Sequence, residues 1–88
     1  MHIETVKDFD NALGNGPFAW PGGYPLYFIC ADGAALSFDA AVENAHLIRE
    51  AIAEKDNSGW RVVAACINWE DENLICEHTG KQIAPAYD

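Results

Sequence analysis

Eighty-eight residues, half of them apolar, suffice for one modest core, and fourteen acidic against five basic side chains give a formal charge of −9. A charge of that sign repels phosphate backbones and anionic headgroups, which argues against direct binding of nucleic acid or membrane, and no apolar stretch has the length to span a bilayer. Three cysteines at irregular spacing make no disulfide framework, and residues 1–13 lack a basic region followed by an apolar run, so a single domain over 1–88 in the cytoplasm of a bacterial host is expected.

Residues 5–13 read as a short helix, with Val6, Phe9, Ala12 and Leu13 at helical spacing, Thr5 as N-cap and Gly14 as the left-handed stop. The glycine- and proline-rich segment 14–25 excludes regular structure, and its Phe18, Trp20 and Tyr24 predict a loop pinned to the core by aromatics. Residues 26–31 (LYFICA) form a strand that turns at Asp32-Gly33, both placed at positive φ, into residues 34–36. Ser37 then caps a single long helix to about Lys55 or Asp56, with Phe38, Ala41, Val42, Ala45, Ile48 and Ile52 as its buried stripe. Residues 60–69 (WRVVAACINW), apolar on both faces, are placed as the central strand, and a second, weaker hairpin follows across His78-Thr79-Gly80. The tail 84–88 is ordered through Tyr87. The expected fold is α+β: an antiparallel sheet of four to five short strands, made of two hairpins and a long central strand, packed on one long helix, with a short N-terminal helix in addition.

Catalytic motifs are missing. There is no nucleophile elbow, no cysteine with a histidine base in sequence reach, and no phosphate-cradling glycine loop, so a non-enzymatic protein without a cofactor is expected. Cys76 and His78 beside Gly80 supply two ligands of zinc type where four are needed, and no metal site is assigned. Cys30 and Cys66 lie inside apolar runs and read as small buried hydrophobes.

The segments PGGYPLYF (21–28), INWEDENL (67–74), CEHTG (76–80) and PAYD (85–88) resemble a family of small uncharacterised bacterial and phage proteins. Some members of that family carry a zinc ribbon in which one Cys-x-x-Cys follows the first hairpin and a second closes the last. The resemblance covers most of the chain after residue 16 and implies a ribbon-like antiparallel scaffold. It assigns the ligand positions to Ser37, Ala40, Cys76 and Thr79, three of which lack sulfur, so bound zinc is not implied.

The feature left for function is acidity. On the long helix, Asp39, Glu43, Glu50 and Glu54 recur at intervals of four, seven and four, one row on the face opposite the apolar stripe, with Glu70, Asp71 and Glu72 in the turn after the long strand. Four charges over about 22 Å of helix axis give roughly one per 7 Å, sparser than the ~3.4 Å of a DNA strand, so the helix alone is no DNA mimic. The expected partner is a basic, nucleic-acid-handling host protein or nucleoprotein complex, met through these seven residues and inhibited as anti-CRISPR proteins of phage or mobile elements inhibit their targets. The alternative is a degenerate zinc ribbon kept as a structural or accessory module, a homodimer through exposed aromatics such as Trp20 or Trp69.

Overall fold

A computed structural model describes residues 2–19, 22–57 and 59–86. The first helix, α1 (Val6–Gly14), opens on a capping box: the Thr5 hydroxyl accepts from the Asp8 N–H while the Asp8 carboxylate accepts from the Glu4 and Thr5 N–H groups. Those two backbone donors hold the Asp8 carboxyl below its ordinary range. The left-handed residue that ends the helix is Gly16 (φ 88°), two positions beyond the one expected, because Asn15 still holds a right-handed helical conformation.

Strands β1 (Phe18–Ala19), β2 (Tyr24–Cys30), β3 (Ala35–Ser37) and β4 (Val62–Ile67) form one antiparallel arrangement in which every strand pairs with β2. The Leu26 and Cys30 N–H groups donate to the Pro17 and Ala34 carbonyls from the same edge of β2. Strands β1 and β3 therefore share that edge, one over each end of β2, and β4 takes the other. The centre of the sheet is thus β2, not the residue 60–69 segment. Beyond β4, among the described residues, there is only the bridge of His2 to Ala64, supported by the Ile3 N–H on the Val63 carbonyl at 2.9 Å. The glycine- and proline-rich segment also contributes a strand, since Phe18 and Ala19 pair with Pro25 and Tyr24; Trp20 lies outside the described residues, as does Tyr87.

The β2–β3 connection uses one positive-φ residue rather than two. Gly33 (φ 88°) donates to the Cys30 carbonyl and the Cys30 N–H returns to Ala34, the pattern of a three-residue hairpin closed by a left-handed glycine. Asp32 contributes through its side chain, which accepts from the Ala34 N–H at 2.9 Å.

The long helix is broken. Helix α2 (Phe38–Glu43) begins at Ser37, whose hydroxyl accepts from the Ala40 N–H, and ends at Asn44 (φ −115°, ψ 24°), where α3 (Ala45–Glu54) starts. Asn44 sends both its N–H and its Nδ2 to the Ala40 carbonyl, the side-chain competition that makes asparagine a poor helix interior. The break re-aims the apolar stripe. Ala40 and Ala41 of α2 and Ile48, Ala51 and Ile52 of α3 are buried, but Val42 is 52% exposed, against expectation. Among the described residues the last segment contributes no strands, only an Ile75 to Gln82 bridge.

The helices and one face of the sheet enclose the core. Phe28 of β2 meets Phe9 of α1 at 5.7 Å and stacks on Phe38 of α2 at 5.8 Å. Val62 and Ala65 of β4 are both buried although they stand three positions apart, which regular alternation would put on opposite faces. A register shift lets Ala64 pair with Ile29 and Val62 with Cys30, so Val63 is the extra residue of a bulge that flips the alternation. No described helix is long and apolar enough to cross a membrane.

Candidate functional site

All seven acidic residues expected to meet a partner are exposed. They do not form one row. The break at Asn44 divides Asp39 and Glu43 on α2 from Glu50 and Glu54 on α3. Tyr27 pairs with Ser37 on one side and Cys66 on the other, so α2 and the 70–72 turn leave the sheet at the same end. Glu50 and Glu54 instead line a cleft of about 200 Å³ with Leu47, Asp56 and Trp60, near the start of β4 at the opposite end. Asp39 and Glu43 thus lie on the helix that starts from the sheet end carrying Glu70, Asp71 and Glu72, while Glu50 and Glu54 lie on α3, beyond the break.

Asn68 builds the acidic turn, and the sequence reading passed it over. It is the buried polar residue just after β4, 4% exposed. Its Nδ2 donates to the Asp71 and Ile83 carbonyls, both at 2.9 Å, and its Oδ1 accepts from the Asp71 N–H at 3.0 Å, satisfying an amide that would otherwise be costly to bury. The Asp71 carboxylate accepts from the Asn73 N–H, and the Glu72 carbonyl accepts from Gln82 Nε2. The turn is therefore fastened to the C-terminal segment on two sides while Glu70, Asp71 and Glu72 face water. The available signal was an asparagine three residues before an aspartate, directly after an apolar run, the spacing of a side chain that closes a turn.

A second cluster lies at the last hairpin. Cys76 is fully buried, its N–H donates to the Lys81 carbonyl, and Gly80 (φ 72°) closes the turn back onto the Cys76 carbonyl. Burial alone would push the thiol up. It is outweighed by hydrogen bonds from the Ser37 backbone, the Thr79 hydroxyl, the Thr79 backbone and the Ser37 hydroxyl, which bring the pKa down to about 7. Ser37 at the same time accepts from the Ala40 N–H. The four positions implied by the resemblance are thus linked, two by contact with the Cys76 sulfur and the third through Ser37. His78 is turned elsewhere, edge-on to Trp60 at 5.2 Å, so Cys76 and His78 do not converge. Among the described residues no group of three or more His, Cys, Asp or Glu side chains gathers around one point. Cys30, by contrast, is pushed up to about 12 by burial first and by Asp32 and Cys76 after it.

The acidic turn can attract and orient a cationic surface, and the Cys76 pocket can hold a thiolate without exposing it. Compared with family models, with curated proteins and with solved structures, the chain matches none.

Proposed function

We propose that this protein is a non-enzymatic, acidic binding module whose partner is a basic, nucleic-acid-handling protein or nucleoprotein complex of a bacterial host, which it inhibits by covering the cationic surface, as anti-CRISPR proteins do. The observation that carries this reading is the acidic turn held by Asn68: three exposed carboxylates on backbone that is ordered before any partner arrives. Ordering in advance removes part of the entropy lost on association, and a net charge of −9 adds long-range steering toward cationic partners. Asp39 and Glu43 extend the surface from the same sheet end; Glu50 and Glu54 form a second contact region.

The test is affinity capture from a bacterial lysate at low and at high salt, with the wild type, a Glu70→Lys/Glu72→Lys variant and a Glu43→Lys/Glu50→Lys/Glu54→Lys variant, followed by purification of the captured protein and measurement of its nucleic-acid activity. A basic protein released by salt, lost from the Glu70→Lys/Glu72→Lys variant and inhibited by the wild type is the expected result. Capture unchanged by both variants removes the proposal.

A second reading, a zinc-ribbon scaffold that has lost its metal and serves as a structural or accessory module, is supported by the contacts of Ser37 and Thr79 with the Cys76 sulfur. It predicts that Ser37→Cys/Ala40→Cys/Thr79→Cys, which leaves Cys76 as the fourth thiol, takes up one zinc per chain and melts at lower temperature after chelation. A folded triple variant that takes up no zinc eliminates the ribbon reading.

A further inference from the structure

A groove of about 440 Å³ runs where the N-terminal segment crosses β4 beside the end of α3. None of the seven acidic residues lines it. His2, Glu4, Lys55 and Arg61 stand around a floor of half-buried Val63, at which only the edges of Ile52 and Val62 show. In a chain with only five Lys and Arg, two of the five meet here beside a histidine. Glu4 is the one carboxylate of the lining, and it is engaged by His2 Nε2 at 2.9 Å. Among the described residues neither Lys55 nor Arg61 has a carboxylate within ion-pair distance, although fourteen acids are in the chain.

Arg61 marks the site. Its backbone carbonyl accepts from the Ala31 N–H at 2.8 Å, which fixes the residue at the entrance to β4. Its Nε is sealed from solvent and has no acceptor among the described residues. A buried guanidinium N–H without a partner is a costly arrangement in a folded protein, and a turn of the side chain that brings it to an acceptor in the groove relieves it. Lys55 alone would carry no such meaning, since a cation at a helix C-terminus complements the helix dipole. It is, however, the one non-glycine described residue at positive φ (55°), a backbone state that a lysine seldom adopts.

We propose that this groove binds a small organic anion, a carboxylate or phosphate head on a short apolar tail, with the head taken by Arg61 and Lys55 and the tail laid on Val63 and the carbon stems of those two side chains. The planar fork of Arg61 suits either head group, and the volume lies at the small end of ligand pockets. The apolar floor selects a tailed anion over an inorganic one.

The experiment is an NMR titration of the intact protein with hexanoate, hexyl phosphate, hexanol and inorganic phosphate, repeated on Arg61→Gln, Arg61→Lys and Lys55→Gln. Saturable shifts of Arg61 and Val62 resonances are expected with hexanoate or hexyl phosphate, and the tighter of the two names the head group. Hexanol and inorganic phosphate are expected to bind at least about tenfold more weakly, as is either tailed anion to the folded Arg61→Gln protein. Arg61→Lys, which keeps the charge and loses the fork, is expected to fall between. Absence of saturation by both tailed anions, equal binding of inorganic phosphate, or unchanged affinity in Arg61→Gln overturns the proposal. The Glu43→Lys/Glu50→Lys/Glu54→Lys variant is expected to bind the anion at least as tightly as wild type does, since it adds positive charge near Lys55, so failure here and failure of the protein-binding reading are separate results.

Discussion

The two hairpins of this chain are held together by different forces. In the first, β2 and β3 close through a ladder of cross-strand pairs and bury Phe28 and Leu36, so apolar burial supports every hydrogen bond. In the second, residues 75–82 make one bridge, flanked by the Ile83 N–H on the Leu74 carbonyl and the Cys76 N–H on the Lys81 carbonyl, and side chains supply much of the rest: Asn68 on the Ile83 carbonyl, Gln82 on the Glu72 carbonyl, Thr79 on the Lys81 N–H, and the Cys76 sulfur between Ser37 and Thr79. A ladder spreads stability over many contacts. A polar clasp concentrates it in a few, each of which can be cut.

The largest effect expected is on the apolar side. Phe28→Ala should destabilise by about 3–5 kcal/mol, seen as a lower denaturation midpoint, because it empties the space shared with Phe9 and Phe38. Next comes Asn68→Ala, at about 2–3 kcal/mol, since it strands the buried partners of a single amide. If the clasp is as local as its bonds suggest, amide exchange in Asn68→Ala should rise across residues 70–73 and 81–86 while β2 and β3 keep their protection; uniform loss of protection would erase the distinction between the hairpins.

The chain's reading from sequence divides along the same line. The first hairpin, the Thr5 and Ser37 caps and the α+β class were legible because they rest on apolar alternation and short-range capping, which are local in sequence. The helix break at Asn44, the Val63 bulge and the exposure of Val42 were not, since each depends on how an element meets the sheet. The acidic residues were visible as residues but not as two groups, because their grouping depends on that break. Asn68 was missed since its partners include Ile83, fifteen positions away. Arg61 carries no signal at all until His2, Lys55 and Val62 are brought around it.

A smaller effect follows from Cys76. Its folded pKa of about 7 lies below the ordinary 9.0, so between those values the unfolded chain holds more protons than the folded one. Stability should therefore rise as pH increases through that window, by on the order of 2 kcal/mol in total, and vanish as a contribution once pH falls below the folded value. Denaturation curves collected from pH 6 to 9 should show this rise in the wild type and lose it in Cys76→Ala. Thr79→Val, which removes one hydroxyl bond to the sulfur, should shrink the slope and lower stability by about 1 kcal/mol or less, the least of these changes.

Because β1, β3 and β4 each pair with β2 and none with another, the sheet has a hub, and β4 reaches it only after the chain has crossed α2 and α3. Until that crossing is complete, Leu26–Cys30 offers an open edge that will accept any strand of matching pattern, including the β4 of a second molecule. Strand exchange between copies is therefore the misassembly expected of this topology, and the yield of refolded monomer is expected to fall as protein concentration during refolding rises.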